Sequence, residues 1–194
     1  MANNTFLIAL GANLPSAAGL PAQTLAAALE RMPEQGLVLA AVSRFYRSPA
    51  FPAGSGPDYV NACAVLRAEA TPEQVLDRLH AIEAALGRVR SERWQARRID
   101  LDLIAAGQTV LPDAEGQAAW RALPLERQMR ETPSELILPH PRLQDRGFVL
   151  IPLAEIAPGW CHPATGQSVA EMVAALPEAE KAALVPLEPV GVPD

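Results

Sequence analysis

Lysine is nearly missing from this chain. Lys181 is the only one among sixteen basic residues. It lies in no Gly-x-x-x-x-Gly-Lys-Ser/Thr pattern, which excludes a phosphate-loop nucleotide site. Cysteine is scarce too. Cys63 and Cys161 have no Cys or His at ligand spacing, so neither a zinc site nor a disulfide framework is encoded. Cys63, inside the apolar run Asn61 to Leu66, reads as a small buried hydrophobe. His80, His140 and His162 are dispersed and form no His-Glu-x-x-His. No apolar stretch approaches the roughly 20 residues of a membrane span, and Phe6 to Leu10 is too short and lacks a basic flank for a secretory signal. A soluble cytoplasmic protein with no membrane partner is expected. Aromatic residues make up only 5% of the chain, and no run of the kind that stacks RNA bases on a sheet is present.

What is there suits one domain. The 194 residues are 49% hydrophobic and 20% charged, within the globular range. The net charge of −6 argues against a general polyanion binder, so no nucleic-acid partner is expected. That average hides a concentration of positive charge. Arg88, Arg90, Arg93, Arg97 and Arg98 stand against Glu92 alone, a local +4 that leaves the rest of the chain at −10.

The punctuation of the sequence predicts β-α-β-β-α-β. Thr5 to Leu10 reads as a strand, and Leu25, Ala28, Leu29 and Met32 as a helix closed by Pro33 and Gly36. Leu37 to Arg47 and Tyr59 to Leu66 read as strands on either side of a Pro/Gly-rich loop at 49–57. Thr71, Pro72 and Gln74 form the start of a capped helix with the stripe Val75, Leu79, Ile82 and Leu86, ended by Gly87. Ile99 to Ala105 alternates as a strand. This order is ferredoxin-like: an α+β fold with two helices on one face of a four-stranded antiparallel sheet. Phe148 to Ile156 and Ser168 to Leu176 are predicted as C-terminal helical additions. A single domain over 1–176 is expected, with an insertion at 111–134 in which Trp120, Leu123 and Met129 dock a short helical piece. The acidic, Pro-rich tail at 177–194 is expected to fray.

Asp100-Leu101-Asp102 is the central chemical feature. On a strand both carboxylates share one face while Ile99, Leu101 and Leu103 hold the other in the core. Two carboxylates so close attract a hard cation such as Mg²⁺, or else they simply form the solvated face of an edge strand. The arginine-rich segment leads straight into this strand, and guanidinium forks beside a dicarboxylate make a polyphosphate site plausible. Trp94, among these arginines, either lies over a ligand ring or packs on arginine stems. Tyr59 and Asn61 share a strand face, where a ring and an amide can stack on and hydrogen-bond a flat heterocycle or merely pack within the sheet. Pro139-His140-Pro141 holds one imidazole on extended backbone. Glu83 lies beside the apolar stripe of its helix and needs a partner, for which the arginines just downstream are candidates.

These residues resemble 6-hydroxymethyl-7,8-dihydropterin pyrophosphokinases of folate biosynthesis. The resemblance rests on Ala9-Leu10-Gly11-Ala12-Asn13-Leu14, Ser43 to Pro49, Pro57-Asp58-Tyr59-Val60-Asn61-Ala62, Gly87-Arg88-Val89-Arg90, Arg93-Trp94, Arg97 to Ile104, and Leu138-Pro139-His140-Pro141 followed by Arg146-Gly147-Phe148. It implies transfer of a pyrophosphoryl group from ATP, as co-substrate, to a reduced pterin. Asp100 and Asp102 would hold two Mg²⁺ ions, and Arg88 and Arg97 would join them as catalytic residues. Arg88, Arg90, Trp94, Arg97, Ile104, His140 and Arg146 would contact ATP. Ser48, Pro49, Phe51, Tyr59, Asn61, Trp94 and Phe148 would contact the pterin. The chain departs from the family pattern at Gln95-Ala96, where Gly then Pro is usual, at His80 in place of glutamine, and at Pro141 in place of an aromatic. Small-molecule substrates and a monomer are expected. The rival readings are a metal-dependent nucleotidyltransferase and an RNA-binding ferredoxin-like module.

Overall fold

The computed structural model describes residues 4–50, 56–88 and 98–188. Six strands form one antiparallel sheet: β1 (Asn4–Ala12), β2 (Val38–Val42), β3 (Tyr46–Ser48), β4 (Tyr59–Ala68), β5 (Asp100–Ala106) and β6 (Val185–Pro186). The order is β5-β1-β4-β3-β6, with β2 also paired to β4. Taken together, β2 and β3 fill the second-strand place of a ferredoxin-like sheet, so the expected α+β fold is observed.

Alternation along the strands builds two cores. Phe6, Ile8 and Leu10 of β1 and Leu101 and Leu103 of β5 face α1 (Pro21–Arg31) and α2 (Pro72–Ala85). The opposite face of β1, Leu7 and Ala9, packs with Cys63 and Ile104. There it meets α5 (Gly147–Ile156) and α6 (Val169–Ala175), through Val149, Leu150, Leu153, Val169 and Met172. Apolar burial on both faces is the main stabilising term of such a layered fold. It also removes the bare sheet that an RNA-binding ferredoxin-like module would use.

The capping signals are realised. Thr71 Oγ1 accepts the Gln74 N–H at 3.3 Å, and Gln74 Oε1 accepts the Thr71 N–H at 3.0 Å. Such a cap is worth about 1 kcal/mol. Val75, Leu79 and Ile82 are buried on the inner face of α2. Ser168 and Glu171 form a second reciprocal box at the start of α6.

Three expectations need correction. The strand expected over Leu37 to Arg47 is broken between Val42 and Tyr46. At the break the Cys63 N–H donates to the Ser43 hydroxyl at 2.9 Å, and the Arg44 N–H donates to Glu155 Oε2 at 2.8 Å. Side chains thus replace the ladder partners of that stretch. The insertion holds two helices rather than one short piece, α3 (Ala114–Ala122) and α4 (Leu125–Arg130). Asp113 caps the first by accepting the Gly116 N–H at 2.7 Å.

Through residue 188 the tail does not fray as expected, and 189–194 lie outside the described residues. It forms α7 (Glu178–Ala182), then β6 on the edge of β3. No helix of the described residues is long and apolar enough to cross a membrane.

Candidate functional site

Asp100 and Asp102 stand where alternation places them, opposite Gly11 and Ala9 of β1. The small partners leave space over the sheet, on the face that α5 covers farther along. Gly11 in turn faces Asn61 of β4, and Asn61 faces Tyr46 of β3. One row of the sheet thus runs from a carboxylate to an amide past a residue with no side chain. A Cβ at Gly11 would lie 3.5 Å from Asn61 Oδ1, so any larger residue there would fill this space.

A cavity of about 740 Å³ opens above the row. Its lining includes Ser48, Pro49, Tyr59, Asn61 and Phe148, then Asp100, Asp102 and Arg146, and also His140, Leu76, His80, Trp120 and Leu136. The Asn61 amide donates to Ser48 Oγ at 2.8 Å, with both residues buried. This fixes two polar groups at the cavity wall. Phe148, 37% exposed, lies under the Arg146 guanidinium, 5.7 Å from the ring centroid. Such a cation–π contact keeps the ring and the charge in one place.

The electrostatics follow from how each acid is held. Glu83 of α2 is 1% exposed. Its Oε1 accepts the Leu101 N–H at 2.7 Å and pairs with Arg88. Arg88 also reaches Asp100 Oδ1 at 2.8 Å. Glu83 therefore ties the end of α2 to β5 and orients Arg88 toward the first aspartate, as its apolar setting in the sequence required. Burial pushes Glu83 up to about 7, against the pull of the Leu101 N–H and Arg88. Arg146 Nη1 lies 3.4 Å from Asp102 Oδ2.

His140 is set by the edge of β5. Its N–H donates to the Ile104 carbonyl at 2.8 Å, and its Nδ1 accepts the Arg142 N–H at 3.1 Å. Burial, with Arg146 and Arg142 nearby, holds the imidazole well below its ordinary pKa. The ring is neutral, and with Nδ1 accepting, its proton sits on Nε2.

Ile104, expected among the nucleotide contacts, is 1% exposed in the second core and does not line the cavity. What it supplies is the carbonyl that holds His140. Phe51, Arg90, Trp94 and Arg97 lie outside the described residues. The structure brings together Arg88, Asp100, Asp102, His140, Arg146, Ser48, Pro49, Tyr59, Asn61 and Phe148. Sequence reading missed Trp120, Leu136 and the role of Gly11. Strand β1 runs past the Leu10 end expected for it, which places Gly11 inside the strand, where a glycine marks a close approach.

The donor set can be weighed for a cation. Two hard carboxylates on one strand face, partly open to the cavity, suit Mg²⁺, which takes one or two carboxylates and completes its shell with water and phosphate. Among the described residues no cluster of three or more acidic, His or Cys side chains is present. The chemistry of the site thus fits a metal shared with a phosphate ligand, not a closed protein cage.

A family model described as 7,8-dihydro-6-hydroxymethylpterin-pyrophosphokinase matches residues 7–158. A Pseudomonas aeruginosa protein named 2-amino-4-hydroxy-6-hydroxymethyldihydropteridine pyrophosphokinase is 38% identical over 173 residues, covering 88% of this chain and 90% of that protein. A Synechocystis protein of the same name is 38% identical over 138 residues, 71% of this chain but 60% of the relative's length. A solved structure described as HPPK-DHPS in complex with substrates superposes with a TM-score of 0.65 at 12% identity. It covers 93% of this chain and 45% of that one, so the chain spans about half of the solved protein and the likeness is one of fold.

Proposed function

The chain belongs to the 7,8-dihydro-6-hydroxymethylpterin-pyrophosphokinase family, and we propose that it moves the pyrophosphoryl group of ATP to the hydroxymethyl group of the reduced pterin, releasing AMP. This would be its step in folate biosynthesis. The observation that carries the reading is one cavity whose lining gathers the rings of Tyr59 and Phe148 with the Asn61 amide, the carboxylates of Asp100 and Asp102 with Arg146, and Trp120, Leu136 and Leu76 with His140.

Each part has a task. Tyr59 and Phe148 present rings to the flat heterocycle, and the fixed Asn61–Ser48 pair meets its polar edge. The substrate hydroxyl attacks the β-phosphorus in line, and the α-phosphate oxygen leaves with AMP. Arg88, steered by Glu83, and Arg146, steered by Phe148, sit where charge builds on the phosphates. Because both are already oriented, little reorganisation accompanies the reaction. Neutral His140 offers its Nε2–H to the nucleotide without adding a charge. Trp120 of the insertion and Leu136 just beyond it, with Leu76 and His80, would wall the base. Arg90, Trp94 and Arg97 would serve the phosphates, with Trp94 and Phe51 also touching the pterin.

Asp100 and Asp102 would hold the Mg²⁺ ions. When bound there, Mg²⁺ offsets phosphate charge and fixes the triphosphate geometry. Both cysteines are free thiols, in keeping with a reducing cytoplasm.

The test is product identity. Purified protein is incubated with ATP, Mg²⁺ and 6-hydroxymethyl-7,8-dihydropterin, and the nucleotides are separated. AMP formed only with the pterin supports the reading. ADP, pyrophosphate release, or no pterin-dependent turnover sinks it; pyrophosphate release would point to nucleotidyl transfer instead.

A further inference from the structure

The family match ends at residue 158, yet the chain continues, and its last described segment returns to the site. Helix α5 begins at Gly147, between Arg146 and Phe148. Its N-cap residue, Arg146, makes no side-chain capping bond. The first N–H groups of a helix have no partner within it. Here the Gly147 N–H donates to Glu180 Oε1 of α7 at 2.7 Å. The approach is so close that a Cβ on residue 147 would lie 2.7 Å from that oxygen.

The same segment then holds the opposite wall. Val185 and Pro186 of β6 pair with Arg47 and Tyr46 of β3, and the Leu187 N–H donates to the Phe45 carbonyl at 2.8 Å. Strand β3 ends in Ser48, the hydroxyl that fixes Asn61. The segment is itself tied down. Lys181 Nζ donates to the Ala174 carbonyl at 3.1 Å and pairs with Glu178 at 2.8 Å, and Leu184 is 9% exposed.

We propose that 178–187 is a brace joining the two walls of the pterin end of the cavity, with Glu180 a positioning residue for Arg146 and Phe148. The inference rests on the functional reading above and names a device that maintains that site. A carboxylate accepting a backbone N–H is among the stronger hydrogen bonds in proteins. Removing it frees the helix turn that aims both side chains. The pterin should suffer more than ATP, because the triphosphate keeps Arg88 and the aspartates.

The experiment compares wild type, Glu180→Ala and Glu180→Gln in the AMP-release assay. Glu180→Ala is expected to raise the KM for the pterin about tenfold and to leave that for ATP within about threefold. Glu180→Gln keeps an oxygen for the Gly147 N–H and should return the pterin KM to within about twofold of wild type. Simple loss of folded protein would lower kcat and leave KM alone. Wild type is also followed by amide hydrogen exchange. Binding of the pterin with a non-hydrolysable ATP analogue should slow exchange across 178–187, since coupling between two sites is reciprocal. Absence of pterin-dependent AMP from wild type defeats the functional reading. With wild type active, an unchanged pterin KM in Glu180→Ala, no recovery in Glu180→Gln, or unaltered exchange at 178–187 each overturns the brace. The exchange result decides the matter if the alanine variant does not fold.

Discussion

Replacing Glu83 by glutamine removes an ionisable group from a site of 1% exposure while leaving an oxygen for the Leu101 N–H. In the folded chain the carboxyl is pushed from its ordinary 4.5 up to about 7, chiefly by burial. The folded state thus keeps this proton where the unfolded chain has lost it. The associated stability is fully present below the unfolded pKa and is lost as pH rises through the folded one. A pKa raised by one corresponds to about 1.4 kcal/mol, so the whole loss is about 3 kcal/mol, most of it falling between pH 5 and pH 8. Glutamine does not titrate, and the variant should lack this component. Urea denaturation followed by circular dichroism at pH 5 and pH 8 measures it. Wild type should lose about 2 to 3 kcal/mol more than Glu83→Gln between the two. Parallel losses in the two proteins would show that burial does not raise the Glu83 pKa, and the reasoning from its burial would fail.

Asp100→Asn and Asp102→Asn should each lower AMP release by at least about a thousandfold, with Tm moving less than about 4 °C because the ion pairs are partly solvated. Near-normal turnover in either would remove that carboxylate from the chemistry. The His140 imidazole should show no titration between pH 5 and pH 8 by NMR, since burial and two guanidinium groups disfavour its charge. A resonance titrating near 6.5 would contradict its neutral role. Native protein should release about one equivalent of colour with a thiol reagent and unfolded protein about two, because Cys161 is exposed while burial holds the Cys63 thiol protonated; two fast thiols in the native state would mean that the second core is open.

What was legible in the sequence is what local rules govern. The face shared by Asp100 and Asp102 follows from the two-residue period of a strand anchored by Leu101 and Leu103. The start of α2 follows from Thr71, Pro72 and Gln74. Glu83 announced its need for a cation by standing next to an apolar stripe, and Arg88, five residues on, supplies it. The break between β2 and β3 had no such signal. It depends on Glu155, 111 residues away, accepting from Arg44 while also taking the Tyr46 hydroxyl at 2.7 Å. The docking of the tail was hidden for the same reason. Its composition of Pro and Glu reads as solvated chain, and only the folded position of Gly147 gives Glu180 something to hold. Helix α1 is a smaller case: Leu20 occupies the N-cap, and Gln23 Oε1 reaches back to the Leu20 N–H at 2.8 Å where a Ser or Asp would ordinarily announce the start.

The two-residue β6 also decides how this protein behaves in company. A strand edge left open offers its N–H and C=O groups to any other chain that can pair with it. On β3 that edge is filled by Val185 and Pro186, and a proline has no N–H with which to extend a ladder outward. The β3 edge is therefore covered by the segment that follows α7. A version cut before Val185 would expose Tyr46 and Arg47 as a docking edge, and its defect would appear first as association that grows with protein concentration, in solutions where the intact chain stays dispersed.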